Sequence, residues 1–88
     1  MVKRTIIPNT DIAFMIVKGL ERIGKVKKYI VYGDYIIVEY EKITKEDIEE
    51  AIIRTGAIPQ LAPASIMTGI PLEEYVKTIA ENLVWWFP

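Results

Sequence analysis

Apolar residues follow two different spacings along this chain, and the switches between them mark out its elements. Val26 to Glu41, VKKYIVYGDYIIVEYE, is dominated by β-branched and aromatic residues on both sides of Gly33-Asp34. That pattern predicts a β-hairpin, with Gly33 supplying the positive φ that the first central position of a type II′ turn demands. A two-residue turn fixes the register. It sets Tyr32 opposite Tyr35, Val31 opposite Ile36, Ile30 opposite Ile37, Tyr29 opposite Val38 and Lys28 opposite Glu39. The last pair brings opposite charges together across the ladder, which is worth roughly 0.2 to 1 kcal/mol. Side-chain alternation then places Tyr29, Val31, Ile36, Val38 and Tyr40 on one face and Ile30, Tyr32, Tyr35 and Ile37 on the other. A sheet with one wet side alternates apolar and polar residues; here both faces are apolar, and both want cover.

Helical spacing flanks the hairpin. Val2 to Ile7 reads as a strand stopped by Pro8, after which Asn9 or Thr10 caps a helix with Asp11 in its first turn and Ile12, Ile16, Leu20 and Ile23 along one face. Gly24 ends it. Beyond the hairpin, Thr44 is the N-cap of a second helix, with Asp47 at N3 and Ile43 placed to close on Ile48 as a hydrophobic staple. That helix runs to Thr55 and stops at Gly56. Its inward face is Ile48, Ala51 and Ile52, while Glu46, Glu49, Glu50 and Arg54 face water. Ala57 to Leu61 reads as a last strand, marked as an edge by Pro59.

Strand, helix, strand, strand, helix, strand is the order of a ferredoxin-like sandwich, so the expected fold class is α+β: a βαββαβ core over residues 1–61 with an antiparallel sheet, within one domain of 1–88. On several stretches the chain also resembles a heavy-metal-associated domain. These are the loop Pro8-Asn9-Thr10-Asp11 entering a helix, Gly24-Lys25-Val26 leading into the second strand, Val38-Glu39-Tyr40 in the third, and Ile48-Glu49-Glu50-Ala51-Ile52 followed by Gly56. The resemblance covers residues 2 to about 61 and implies the fold. In that family the first loop carries two cysteines that hold a soft metal such as copper(I). Asp11 and Phe14 stand at those positions here, and a carboxylate beside a phenyl ring does not replace thiolates, so the implied activity is not carried over.

The tail lies outside the resemblance. Thr55 to Leu72 carries no charge, but prolines at 59, 63 and 71 and glycines at 56 and 69 argue against a membrane-spanning helix, and residues 62–70 are expected to form an apolar loop. Residues 71–87 then form a C-terminal amphipathic helix with Pro71 at its start, Glu73 and Glu74 in its first turn, and an apolar stripe of Leu72, Tyr75, Val76, Ile79, Leu83 and Trp86. Trp85 and Phe87 extend the stripe around the last turn.

Composition narrows the chemistry. The chain has no cysteine and no histidine, which removes thiol catalysis, disulfides and the commonest general base and transition-metal ligand. Ser65 is the sole serine and has no histidine to activate it. No catalytic residue, cofactor site or metal site is therefore expected. A hard-cation site at Asp11 with Asp34 or Glu41 has no spacing to recommend it. Eleven basic and twelve acidic residues give a net charge of −1, too little for a global field toward nucleic acid or an anionic membrane. No apolar run follows the N-terminal charges, so a cytoplasmic location is expected. Sixteen isoleucines, with many lysines and glutamates, lean toward a heat-adapted source.

Function is thus expected from a surface. Two helices cover one face of the hairpin and leave Ile30, Tyr32, Tyr35 and Ile37 bare. The expected roof is the C-terminal segment, Leu72, Tyr75, Val76, Ile79, Leu83, Trp85, Trp86 and Phe87, laid over that face in its own chain or in a neighbouring copy. This makes the chain a non-enzymatic interaction or regulatory module, acting through the interface of a homodimer or higher oligomer or, through the loop of residues 62–71, on an unidentified protein partner. The alternative is single-stranded nucleic-acid binding, with Tyr32 and Tyr35 stacking bases beside Lys25, Lys27 and Lys28. A degenerate metal-chaperone-like domain is the third reading.

Overall fold

The computed structural model describes residues 1–55 and 58–88, and of Ile58 and Gln60 only the main chain. The elements run β1 (Lys3–Pro8), α1 (Asp11–Arg22), β2 (Val26–Tyr32), β3 (Tyr35–Tyr40), α2 (Lys45–Arg54), α3 (Ile58–Thr68) and α4 (Leu72–Leu83), closed by a 3-10 turn at Val84–Trp86. The fold is α+β, with a three-stranded antiparallel sheet in the order β1-β3-β2. No helix among the described residues is long and apolar enough to cross a membrane.

The hairpin takes the register set by its turn, from Tyr32 opposite Tyr35 to Lys28 opposite Glu39. Gly33 has φ +60° and Asp34 is not left-handed, so only the first central residue is, as a type II′ turn demands. Between Lys28 and Val26 the ladder shifts by one residue, and Lys27 bulges out so that Val26 pairs with Tyr40 and turns into the core. β1 lies on the other side of β3, with Ile7 opposite Ile36 and Ile6 opposite Ile37.

Both expected helix starts form. The Thr10 hydroxyl accepts from the Ala13 amide at 3.1 Å. Thr44 and Asp47 make a reciprocal capping box at 3.2 and 2.9 Å, with aspartate standing in for the usual glutamate. Gly24, at φ +81°, ends α1: its amide donates to Glu21 and that of Lys25 to Leu20, satisfying carbonyls of the last turn. α1 and α2 pack on the sheet face carrying Ile7, Val26, Ile36, Val38 and Tyr40, all buried.

The expected fourth strand over 57–61 does not form. Ala57 lies outside the described residues, and Ile58 to Leu61 open α3 instead. Pro59 belongs to the first turn of that helix, where the missing amide hydrogen had no intrahelical acceptor to lose. The 62–70 segment is correspondingly helical through Thr68 rather than a loop. Pro63 sits inside the helix, and Gly69 at φ +72° ends it. Leu61 is buried in the core, which offsets the hydrogen bond Pro63 removes. Along this chain the ferredoxin-like order stops at βαββα, and α3 takes the place of the last strand.

Expected to run 71–87, the C-terminal helix ends at Leu83 and tightens into the 3-10 turn. It packs beside α2, in the same layer as α1 and α2. Val76 and Ala80 are buried there, and Leu72, Tyr75, Ile79, Leu83 and Trp86 pack against the core. Phe87 then closes the core: its ring meets that of Tyr40 edge-on at 5.4 Å between centroids, and the Tyr40 hydroxyl donates to the Pro88 main-chain oxygen at 2.9 Å. The C-terminal segment therefore roofs the helical side and not the open sheet face.

Two predictions follow from this packing. A Cβ at Gly19 would meet Thr55 Cγ2 at 2.5 Å and the Ala51 carbonyl at 2.8 Å, so α1 and α2 approach only because that position has no side chain. Gly19→Ala is expected to lower unfolding free energy by about 1–3 kcal/mol in chemical denaturation, despite alanine's better helix propensity. Burial pushes the Tyr40 phenol above its ordinary value of 10.0. A raised folded-state value favours the protonated fold, so its contribution is complete below the unfolded value and is lost as pH rises through the folded one. Stability should fall above about pH 10, and less steeply in Tyr40→Phe, which also loses about 1 kcal/mol at neutral pH with its hydrogen bond.

Candidate interaction surface

With three strands and this register, the side of the sheet away from the helices is a grid of three rows by three strands. The first row is Arg4, Glu39 and Lys28; the second Ile6, Ile37 and Ile30; the third Pro8, Tyr35 and Tyr32. Among the described residues nothing lies over it. Ile6 is 64% exposed, Ile30 45%, Tyr32 73% and Tyr35 56%, while Ile37, in the middle of the central strand, is half-buried by its neighbours. Five large apolar or aromatic positions and a proline thus form one continuous surface, bounded at one end by charges.

The charged row is partly neutralised within itself. The Arg4 guanidinium lies 3.8 Å from the Glu39 carboxylate, which faces Lys28 across the ladder on its other side. The opposite end is set by the turn: Asn9 donates from its amide to the Asp34 carbonyl at 2.8 Å and from its side chain to the Gly33 carbonyl at 3.0 Å. Those bonds tie the start of α1 to the hairpin tip and hold the third row in place.

Of the residues expected at an interface, Ile30, Tyr32, Tyr35 and Ile37 lie together on this grid. Leu72, Tyr75, Val76, Ile79, Leu83, Trp86 and Phe87 do not join them; they are committed to the core of their own chain. Trp85 stands apart, 80% exposed on the 3-10 turn. Sequence reading missed Ile6, Arg4 and Pro8, which complete the grid. The signal was present in β1, where residues 4, 6 and 8 share a face once Ile7 is taken as core.

The residues of the nucleic-acid alternative are separated. Lys25 pairs with Asp47 at 3.8 Å and Lys27, on the bulge, with Glu41 at 3.5 Å, both away from the tyrosines. Lys28 alone shares their face, and it sits two rows away from Tyr32, roughly 13 Å along the strand. Asp11 lies exposed in the first turn of α1 and Phe14 packs edge-on against Tyr29 at 6.1 Å, so the two positions aligned with the family's cysteines are an exposed carboxylate and a packed ring. Among the described residues no group of three or more acidic side chains converges as a metal site would require. The Ser65 hydroxyl donates to the Ile70 carbonyl.

A cleft of about 470 Å³ lies between α2 and the start of α4, lined by Glu49, Ile53, Leu72, Glu73, Val76 and Lys77. Its polar rim consists of solvated helix-face charges, and they converge on no common point.

Comparison of the chain with protein-family models, with curated proteins and with solved structures found no match to any of them.

The two aromatic ends of the C-terminal segment should behave oppositely. Phe87→Ala removes a buried ring and is expected to cost about 3–5 kcal/mol, whereas Trp85→Ala at an exposed site should change stability by less than about 0.5 kcal/mol. Thermal unfolding of the two variants side by side checks this.

Proposed function

We propose that this chain is a non-enzymatic protein-interaction module that acts through the outer face of its sheet, in an oligomeric assembly. One observation carries the reading: Ile6, Ile30, Ile37, Tyr32 and Tyr35 form a contiguous apolar surface on a rigid sheet, and none of the described residues covers it. Soluble domains rarely leave such a surface bare without using it for contact. Rigidity matters as much as hydrophobicity, because a β-sheet loses little conformational entropy on docking.

On this reading the scaffold similar to heavy-metal-associated domains serves for its sheet, with Asp11 and Phe14 where that family has cysteines. Base stacking on Tyr32 and Tyr35 lacks cations beside the rings, since two of the three candidate lysines are held in ion pairs elsewhere.

The face spans three strands by three rows, about 14 by 20 Å, below the size of a standard stable interface, so association is expected in the micromolar range. Sedimentation velocity of the purified chain from about 10 μM to about 1 mM should show a concentration-dependent rise in mass. Ile30→Lys, on an exposed position of β2, should abolish that rise and leave the circular dichroism spectrum unchanged. A chain that stays monomeric at the top of the range, or associates equally well as Ile30→Lys, would overturn the reading. So would low-salt binding of a labelled single-stranded oligonucleotide that Tyr32→Ala removes.

A further inference from the structure

The grid carries more than apolarity: its charges are arranged to complement themselves. Resting on the reading of the outer face as an interaction surface, we infer that its occupant is a second copy of this chain, docked through a two-fold axis that runs across the strands. Two sheets meeting face to face as identical copies have two simple choices of axis in the plane between them, along the strands or across them.

An axis along β3 keeps strand direction and exchanges the outer strands. It sets Arg4 over the partner copy's Lys28 and Glu39 over its own counterpart, so every charged position of the first row meets its like. The third row then stacks Tyr35 on its own counterpart. An axis across the strands reverses strand direction and keeps each strand over its counterpart. The isoleucine row now lies on the axis, Ile6 on Ile6, Ile37 on Ile37 and Ile30 on Ile30, while the charged row of one copy lies over the third row of the other.

Two of the three first-row groups then find a complement in the second copy. Lys28 sits over the Tyr32 ring of the second copy at the corner where Asp34 follows β2, giving a cation a π-face and a carboxylate. Among the described residues Lys28 makes no ion pair within its own chain, so it is free to do this. Glu39 faces the Tyr35 hydroxyl, a donor. Arg4 keeps its pairing with Glu39 and meets the small, uncharged Pro8. These contacts occur twice, once at each end of the isoleucine stripe, and no like charges are opposed. An unrelated protein partner would have no reason to match this alternation; a copy of the same face, docked across the strands, matches it.

The chain contains no cysteine, so single introduced cysteines report distances without background. Facing sheets lie about 10 Å apart, within reach of a short bis-methanethiosulfonate crosslinker, whereas a sideways displacement of four residues along the strand, about 13 Å, leaves the pair about 16 Å apart and out of reach. With the axis across the strands, Ile30→Cys should crosslink to itself at concentrations where the chain associates, and Tyr35→Cys should not. An axis along the strands gives the reverse, which would overturn the inferred geometry and leave the interaction reading standing. Crosslinking of both, or of neither in a chain that sedimentation shows to be dimeric, would also overturn it. Monomers throughout in sedimentation would instead remove the underlying reading.

A second measurement keeps the charge argument separate from the axis. Lys28→Glu should weaken dimerisation by about fivefold to several hundredfold, the range for losing two partly desolvated cation–π contacts, one at each end of the pair. Adding Asp34→Lys to it should recover much of that loss. If Lys28→Glu leaves the association constant unchanged, the complementarity that selects the axis is wrong.

Discussion

The structure depends on one constraint: β3 is apolar on both faces, and the chain supplies a helical layer for only one. Ile36, Val38 and Tyr40 point toward α1 and α2 and are fully buried, whereas Tyr35 and Ile37 point the other way, with Glu39 beside them. The type II′ turn at Gly33 makes this division rigid, because a one-residue slip would exchange the two sets. The inner set is secured by about 1.5–3 kcal/mol for each fully buried side chain. The outer set is therefore fixed in place by residues it never touches.

The aromatic C-terminus had a choice between the two faces, and its geometry decides the matter. α4 follows α3 on the helical side, alongside α2, and brings Phe87 to the end of the core where Tyr40 lies. Tyr40 is the largest fully buried side chain among the described residues, and its hydroxyl needs an acceptor. The Pro88 main-chain oxygen satisfies it, while Lys3 donates to the same atom at 3.2 Å. Phe87 and Pro88 thereby seal the β1–β3 end of the core. Spending those residues there leaves the opposite sheet face with no cover from the described residues of its own chain.

How far the sequence could be read depended on whether local chemistry and tertiary packing agreed. The hairpin and its register were legible because turn type, alternation and the Lys28–Glu39 pair all pointed to one answer. Both helix starts were legible for the same reason, from Thr10 and from the Thr44–Asp47 box. α3 was not. Its segment, IPQLAPASIMT, carries two prolines and no charge, and breaker residues suggested strand and then loop. Position mattered more than identity: Pro59 falls in a first turn where proline is tolerated, and Leu61 gains a core contact that no propensity scale anticipates. The open face was half legible. Tyr32, Tyr35, Ile30 and Ile37 followed from the hairpin alone, but Ile6, Arg4 and Pro8 required knowing that β1 pairs with β3.

Replacing a fourth strand by a helix also leaves β1 at an edge of the sheet, and an exposed edge is the commonest route by which sheets associate. Both edges here are poorly suited to that route. β1 begins with Lys3 and Arg4 and ends in Pro8, whose nitrogen donates no hydrogen bond. β2 is interrupted by the Lys27 bulge, carries Lys28 beside it and is preceded by Lys25, so the ladder is twisted and charged where a new strand would join. Edge pairing would have to override prolines, bulges and cations, whereas face packing only has to remove water from isoleucine and tyrosine. The same chain therefore resists growth along the sheet and invites contact across it. Under the proposed face-to-face pairing, that combination would give a closed pair of sheets rather than an open-ended fibre, because a face buried against its own copy has no second free face to offer: the other side is already filled by α1, α2 and α4.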